Sequence, residues 1–330
     1  MREESLRDAN KSQLVDNMRE EDKLEEIRPV QTSHSVNISN EDRHRRSMNL
    51  IDFLYSVSKM CEDNYDPLYA NVTEDEIIEM DKAYGRHISL ENGLRNPELV
   101  APRTRIKWTR ERIMIKEDIS YCWYRTFVIA ADFANMIPQF RQLPIQDQCQ
   151  LFRHNFATTS WLFYLDAIIK LGLIDGFPFG NGAYAPKDII PEYNPFINSD
   201  AHHYYSKLLI DPFKDLDSKE ISLFMTILLF QNGESCSDKG SEICRRMNEL
   251  LIDALWDYQA ACGITNAVDG SEDNEIHCFK ANGAIPTGRI LLQQARLAKE
   301  TDSLINLFDE VDLLQDEENG YLSDTSLTLD

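Results

Sequence analysis

Between Ile119 and Ile174 polar residues become scarce, in the run ISYCWYRTFVIAADFANMIPQFRQLPIQDQCQLFRHNFATTSWLFYLDAIIKLGLI. Ile119, Trp123, Phe127, Ala130, Phe133 or Ala134, and Ile137 recur every three or four residues, which is one face of a helix. Pro138 has no N–H to donate and disfavours helix in the residue before it, so the helix is expected to stop at Ile137. Pro144 suits the start of a second helix, with Asp147 in its first turn, where a carboxylate complements the helix dipole. From Leu151 this second helix is apolar on most of its circumference, which predicts a place inside the protein. Arg153, His154, Asp166 and Lys170, with Gly172 breaking the run, rule out a span of about 20 apolar residues across a membrane.

The same period recurs on either side. In SMNLIDFLYSVSKMC the apolar positions 48, 50, 51, 54, 57, 60 and 61 predict a helix from Ser47 docked on the core. Residues 64–117 are sparse in apolar pattern and punctuated by Asp66-Pro67, Asn96-Pro97 and Ala101-Pro102, with one short helix near Glu74–Tyr84. A connection so long and irregular is expected to wrap a surface. In GFPFGNGAYAP, Asn181-Gly182 between short aromatic arms signals a two-residue hairpin turn, since both residues tolerate positive φ. Asp200–Ile210 reads as a helix, on which His202 and His203 point to different faces and share no metal. Asp217-Ser218-Lys219-Glu220 offers an N-cap and an acidic first turn for ISLFMTILLF, a helix apolar nearly all round and therefore sandwiched between others. Ser241–Cys262 is a long amphipathic helix, and 276–308 carries helix-like apolar pairs interrupted at Pro286 and Gly288.

Composition narrows the function classes. A hydrophobic content of 42% over 330 residues supports a substantial core, in one large domain or two ordinary ones. The formal charge of −22 argues against nucleic acid as a partner of this chain alone, because phosphate binding runs on Lys and Arg. Arg43-His44-Arg45-Arg46 is a basic cluster, read either as an import or phosphate-contacting patch or as a solvated lead-in to the helix after it. The seven cysteines form no CxxC pair, which excludes a zinc finger, and with a charged N-terminus they read as reduced thiols of an intracellular protein. GxSxG, GxxxxGK, GxGxxG and HExxH are absent, so the chain is expected not to be an enzyme and to hold no metal and no cofactor.

A family resemblance enters at the opening stretch. Phe133-Ala134-Asn135, Pro138, Phe140, Leu143, Asp147-Gln148 and Leu151-Phe152-Arg153 resemble the signature of nuclear hormone receptor ligand-binding domains. That signature is aromatic-Ala-Lys, then Phe, Leu, Asp-Gln and Leu-Leu-Lys at these spacings. Leu216-Asp217 with Glu220, Leu223 and Ile227 to Phe230 resembles the family's helix 8, and Ala254-Leu255 with Tyr258 its helix 9. The stretch from Asn49 to Tyr69, with Gly85-Arg86, resembles the expanded nematode group.

The resemblance implies an all-α fold, a three-layer antiparallel helical sandwich with one small β-hairpin. It covers 47–318, with its core at 115–312, between a disordered hinge-like segment at 1–46 and an acidic disordered tail at 319–330. It further implies a nuclear receptor-type transcription regulator, a ligand- and coregulator-binding module of the nucleus, or of nucleus and cytoplasm. The alternative is a receptor-like interaction protein without DNA binding or ligand control that sequesters partners or coregulators.

Site residues follow from the same resemblance. A pocket for a lipophilic small molecule is expected at Cys122, Ile129, Ala130, Phe133, Trp161, Leu165, Phe177 and Phe179. Phe133, Trp161, Phe163 and Phe177 either line such a pocket or fill it. Coregulator proteins are expected in a helix groove formed by Asn135, Gln148 and Arg153, closed by a final helix bringing Glu310, Leu313, Leu314, Asp316 and Glu317. Two registers compete for that helix, Leu307 to Val311 and Leu313 to Glu317. Asn135 stands where the family has a clamp lysine, so it brings no charge to a partner helix's C-terminal carbonyls. Pro286 and Gln293-Gln294 depart from the family's dimerisation helix and tell against homodimerisation through it; the resemblance separately implies a receptor heterodimer as a candidate partner. Neither a membrane nor direct DNA binding is expected of this chain.

Overall fold

The computed structural model describes residues 40–83, 88–172, 176–186, 210, 214, 216–231 and 233–262. Helix α1 (Asn40–Asp63) starts ahead of the expected Ser47, with Glu41 and Asp42 in its first turn, where they complement the dipole. Arg43 to Arg46 are exposed on that lead-in; Arg45 pairs with Asp42 at 2.6 Å and Arg43 with Asp257 at 3.5 Å.

The connection at 64–117 holds more regular structure than its pattern predicts. It contains α2 (Glu74–Ala83), α3 (Leu90–Arg95) and β1 (Lys107–Ile113), with tight turns at Pro67–Tyr69 and Pro97–Leu99. α3 is capped by Ser89, whose side chain accepts from the Asn92 amide. The connection wraps α4 (Glu117–Met136), and this corrects one expectation: α4 is buried all round from Asp118 to Ala131, not along one face. Its polar residues Asp118, Ser120, Arg125 and Thr126 are buried because α2, α3 and the segment between them and β1 cover that side.

At the end of α4, Ile137 turns extended (φ −83°, ψ 117°) ahead of Pro138, as the proline requires. One turn, α5 (Pro138–Arg141), leads to Pro144, the N-cap of α6 (Ile145–Lys170). Gln148 closes the corner by donating to the Leu143 carbonyl at 2.9 Å. α6 is buried at every position from Thr158 to Ile168. It packs against α4 and against α7 (Ser218–Leu229), and α7 packs against α8 (Asp238–Ala261). A capping box between Asp217 and Glu220 starts α7. Asp147 does more than complement a dipole: it accepts from the Ser237 amide at 2.9 Å and the Ser237 hydroxyl at 2.6 Å, holding the N-cap of α8. The core between α4 and α6 is aromatic, with Phe127 against Phe152 at 5.2 Å and Trp123 against Trp161 at 5.8 Å.

The hairpin forms as one half of a small sheet of order β1-β3-β2. β2 (Gly176–Pro178) pairs antiparallel with β3 (Asn181–Pro186), and β1 joins β3 in parallel. The turn is longer than the two residues expected. Phe179 donates to Ala183, and the positive φ values fall at Gly180 (76°) and Gly182 (85°) on either side of Asn181. A Cβ at Gly180 would stand 3.2 Å from the Trp108 ring, so close packing of β1 also favours glycine there. Asp118 fastens the sheet to α4. Its buried carboxylate accepts from both Arg112 η-nitrogens, the Ile115 amide and Asn181 Nδ2, each at 2.7 Å.

The architecture is the helical sandwich expected, with a three-stranded sheet in place of a hairpin alone. The expected elements across 200–209 and 276–308, the final helix and both terminal segments lie outside the described residues, apart from the helical start at Asn40.

Candidate ligand cavity and helix groove

Two features sit at opposite ends of the α4–α6 pair. The N-terminal half of α4 and the C-terminal half of α6 face the sheet across a cavity of about 10 Å³, room for about one water. Its lining comes from Ile106, Trp108, Arg125, Thr126, Ile129, Phe163, Tyr164, Phe179 and Gly180. Of the pocket candidates, Ile129 and Phe179 line it directly. Phe177 packs on Phe179 at 5.1 Å and on Trp161 at 5.4 Å, and Phe133 sits edge-on to Phe163 at 5.8 Å. Cys122 is bonded to the Tyr164 hydroxyl at 2.9 Å, and Ala130 and Leu165 are core residues. Among the described residues, these aromatic side chains pack against one another around the cavity.

Arg125 is the unexpected member. It is 2% exposed, and its charge has no hydrogen-bonded carboxylate partner. Nε donates to the Thr104 carbonyl at 3.0 Å and Nη2 to that of Asn64 at 3.2 Å, while Nη1 is buried with no partner. Asp132, the carboxylate whose charge acts on Arg125, is held by Arg103 through two bonds of 2.8 Å. Burial lowers the pKa of Arg125, yet a guanidinium stays protonated through the ordinary pH range. Further buried polar atoms without partners are Trp108 Nε1, Thr159 Oγ1, Ser160 Oγ and Trp161 Nε1. Arg125 was legible as the one charge between Ile119 and Ala131; nothing local says what it faces.

Beside it, Thr126 donates to the Cys122 carbonyl at 2.6 Å and shares a hydrogen bond with Tyr164. Burial pushes the Cys122 thiol up to about 12 and the Tyr164 phenol well above its ordinary value. Both are neutral hydrogen-bonding groups at neutral pH.

At the other end, the C-terminal half of α4 and the N-terminal half of α6 carry the groove candidates. Asn135 donates to the Leu94 carbonyl of α3 at 2.7 Å. Gln148 is spent on the corner. Arg153 is half-buried, with Nε unpartnered. Glu310, Leu313, Leu314, Asp316 and Glu317 lie outside the described residues, so both registers of the final helix do too.

Residues 105–266 match the family described as the ligand-binding domain of nuclear hormone receptors. Over those residues the chain is similar to the nuclear hormone receptor ligand-binding domain family. That family is non-enzymatic. Its similar members in Caenorhabditis elegans include nuclear hormone receptor family member nhr-4, 25% identical over 179 residues, which are 54% of this chain and 36% of the relative. Family member nhr-100 is 23% identical over 203 residues (56% and 46%), and family member nhr-61 is 28% identical over 127 residues (38% and 30%). The similarity thus spans less than half the length of each of these receptors. The stretch matched to the nuclear receptor family takes in the signature from Phe133 to Arg153 and all eight pocket candidates, while the five groove candidates from Glu310 to Glu317 lie beyond it. No helix among the described residues is long and apolar enough to cross a membrane.

Proposed function

We propose that this domain regulates transcription by coupling two sites: a lipophilic ligand at the cavity between α4, α6 and the sheet, and a coregulator helix on the α4–α6 face near Asn135 and Arg153. The single observation that carries the ligand site is Arg125, a buried guanidinium with one nitrogen unpartnered among aromatic rings. An apolar molecule ending in a carboxylate or carbonyl supplies the missing acceptor and covers the rings. Trp108 and Phe179 are the side chains that give way to it, because the cavity as it stands holds about one water. The coregulator site rests on the signature position of Asn135 and on Arg153, whose Nε has no partner. The place of action under this reading is the nucleus, with a second receptor as dimer partner.

A chain fused in full to a heterologous DNA-binding domain, with a matched reporter, tests the regulatory role. The fusion is expected to shift reporter output relative to the DNA-binding domain alone, and Arg153→Glu to remove the shift. Equal output from fusion and control contradicts the role. A second reading is favoured by the cavity's small size: a ligand-independent interaction protein that sequesters coregulators. Under it the coregulator site operates and Arg125 is satisfied by a buried water.

A further inference from the structure

α3 is a docked helix that cannot sustain itself. It has six residues, LENGLR, well short of the roughly 12–15 at which an isolated helix becomes marginal. Asn92 and Gly93 are poor helix formers besides. Leu90, Gly93 and Leu94 are buried, while Glu91, Asn92 and Arg95 are exposed. The inward positions stand at i, i+3 and i+4, the spacing by which an amphipathic helix lies in the apolar groove of another protein.

The surface beneath α3 belongs to α4 and α6, both of which it packs against. A Cβ at Gly93 would stand 3.2 Å from Phe127 Cζ of α4, and the Phe127 ring meets Phe152 of α6. About two turns further along α4, Asn135 donates to the Leu94 carbonyl at 2.7 Å. The end of a helix leaves its last carbonyls unpartnered, so this donor receives α3 as a clamp residue receives a bound helix.

We infer that α3 occupies the coregulator groove from within: Leu90–Arg95 takes the place of a coregulator helix, and a coregulator binds by displacing it. This rests on the coregulator reading above. The partner is an amphipathic helix with leucines at i, i+3 and i+4. Gly93 makes the intramolecular occupant the slimmer of the two, because a Cβ there would press on Val100 Cγ2 at 3.0 Å and Phe127 Cζ at 3.2 Å. Val100 follows α3 in the same segment, so it withdraws when α3 leaves and opens the slot for a leucine.

The test titrates the full chain into a fluorescent synthetic helix of about 15 residues with leucines at those three positions. Leu90→Ser combined with Leu94→Ser weakens the hold on α3. The double variant is expected to bind the peptide at least about tenfold tighter than the unaltered chain, since the closed fraction taxes the apparent affinity. Hydrogen exchange on the unaltered chain gives a second readout that does not depend on the variant folding: excess peptide is expected to strip protection from the amides of 90–95. Equal affinities, or protection at 90–95 that survives saturation with peptide, overturn the inference while leaving the coregulator site standing. A peptide that binds neither chain, with no change in exchange, overturns the coregulator reading and the inference together.

Discussion

Asp118 carries a large structural load for one side chain. Fully buried at the start of α4, it holds Arg112 of β1, the Ile115 amide and the turn residue Asn181. Asp118→Asn keeps the shape and removes the charge that pairs with Arg112. The expected cost is about 3 kcal/mol in urea unfolding, as for other broken buried pairs; an unchanged midpoint contradicts it. Cys122 gives a pH signature. Burial raises its thiol from an ordinary 9.0 to about 12, so its contribution to stability is intact below the lower value. As pH rises from about 9 to about 12 the unfolded chain ionises while the folded one does not, and stability falls. Tyr164, raised by the same burial, acts in the same direction. The urea midpoint is therefore expected to fall across that range, less steeply in Cys122→Ala; parallel pH profiles of the two proteins contradict the assignment to Cys122. At this scale the sequence was legible where partners are local. Asp147 announces itself in a first turn, but its bond to Ser237 joins residues far apart in the chain and leaves no local trace. Arg125 is visible as a lone charge, and its missing partner is visible only once the fold surrounds it.

Among elements, the long helices were legible because burial and period agree in them, and because their punctuation is chemical. Pro138 ends α4, Pro144 caps α6, and Asp217 with Glu220 starts α7. Asp217→Ala removes one half of that capping box, the bonds its carboxylate accepts from the Lys219 and Glu220 amides, and leaves the other, its own backbone N–H donating to Glu220. The expected loss is about 1 kcal/mol, read from a shifted melting curve with the far-UV spectrum of the folded state unchanged. α3 and β1 were not legible. LENGLR has two weak helix formers among six residues, and its helix exists because α4 and α6 receive it. KWTRERI has little apolar content, and it becomes a strand because β3 offers it an edge. The hairpin was legible as a hairpin, but the length of its turn follows from Trp108 against Gly180, a contact made by a strand the pattern did not reveal. Tertiary placement, not local preference, decides all three.

Across the whole molecule, one helix pair supports two surfaces. The α4–α6 seam has an aromatic cavity with an unpartnered guanidinium at one end and a helix-receiving face at the other. Rings packed along the seam, Phe127 to Phe152 and Trp123 to Trp161, are the direct physical connection between them. Under the proposed function, a small molecule that favours one packing of those rings over another would bias what docks on the domain. Native mass spectrometry of the full chain, beside Arg125→Met, tests this account most directly. Met replaces the unpaired charge with an apolar chain, so both proteins are expected to fold. The account predicts a lipid-sized adduct on the unaltered chain, released on collisional activation and absent from Arg125→Met. The apo mass alone from both proteins, with purified lipophilic carboxylates failing to add to either, would contradict it.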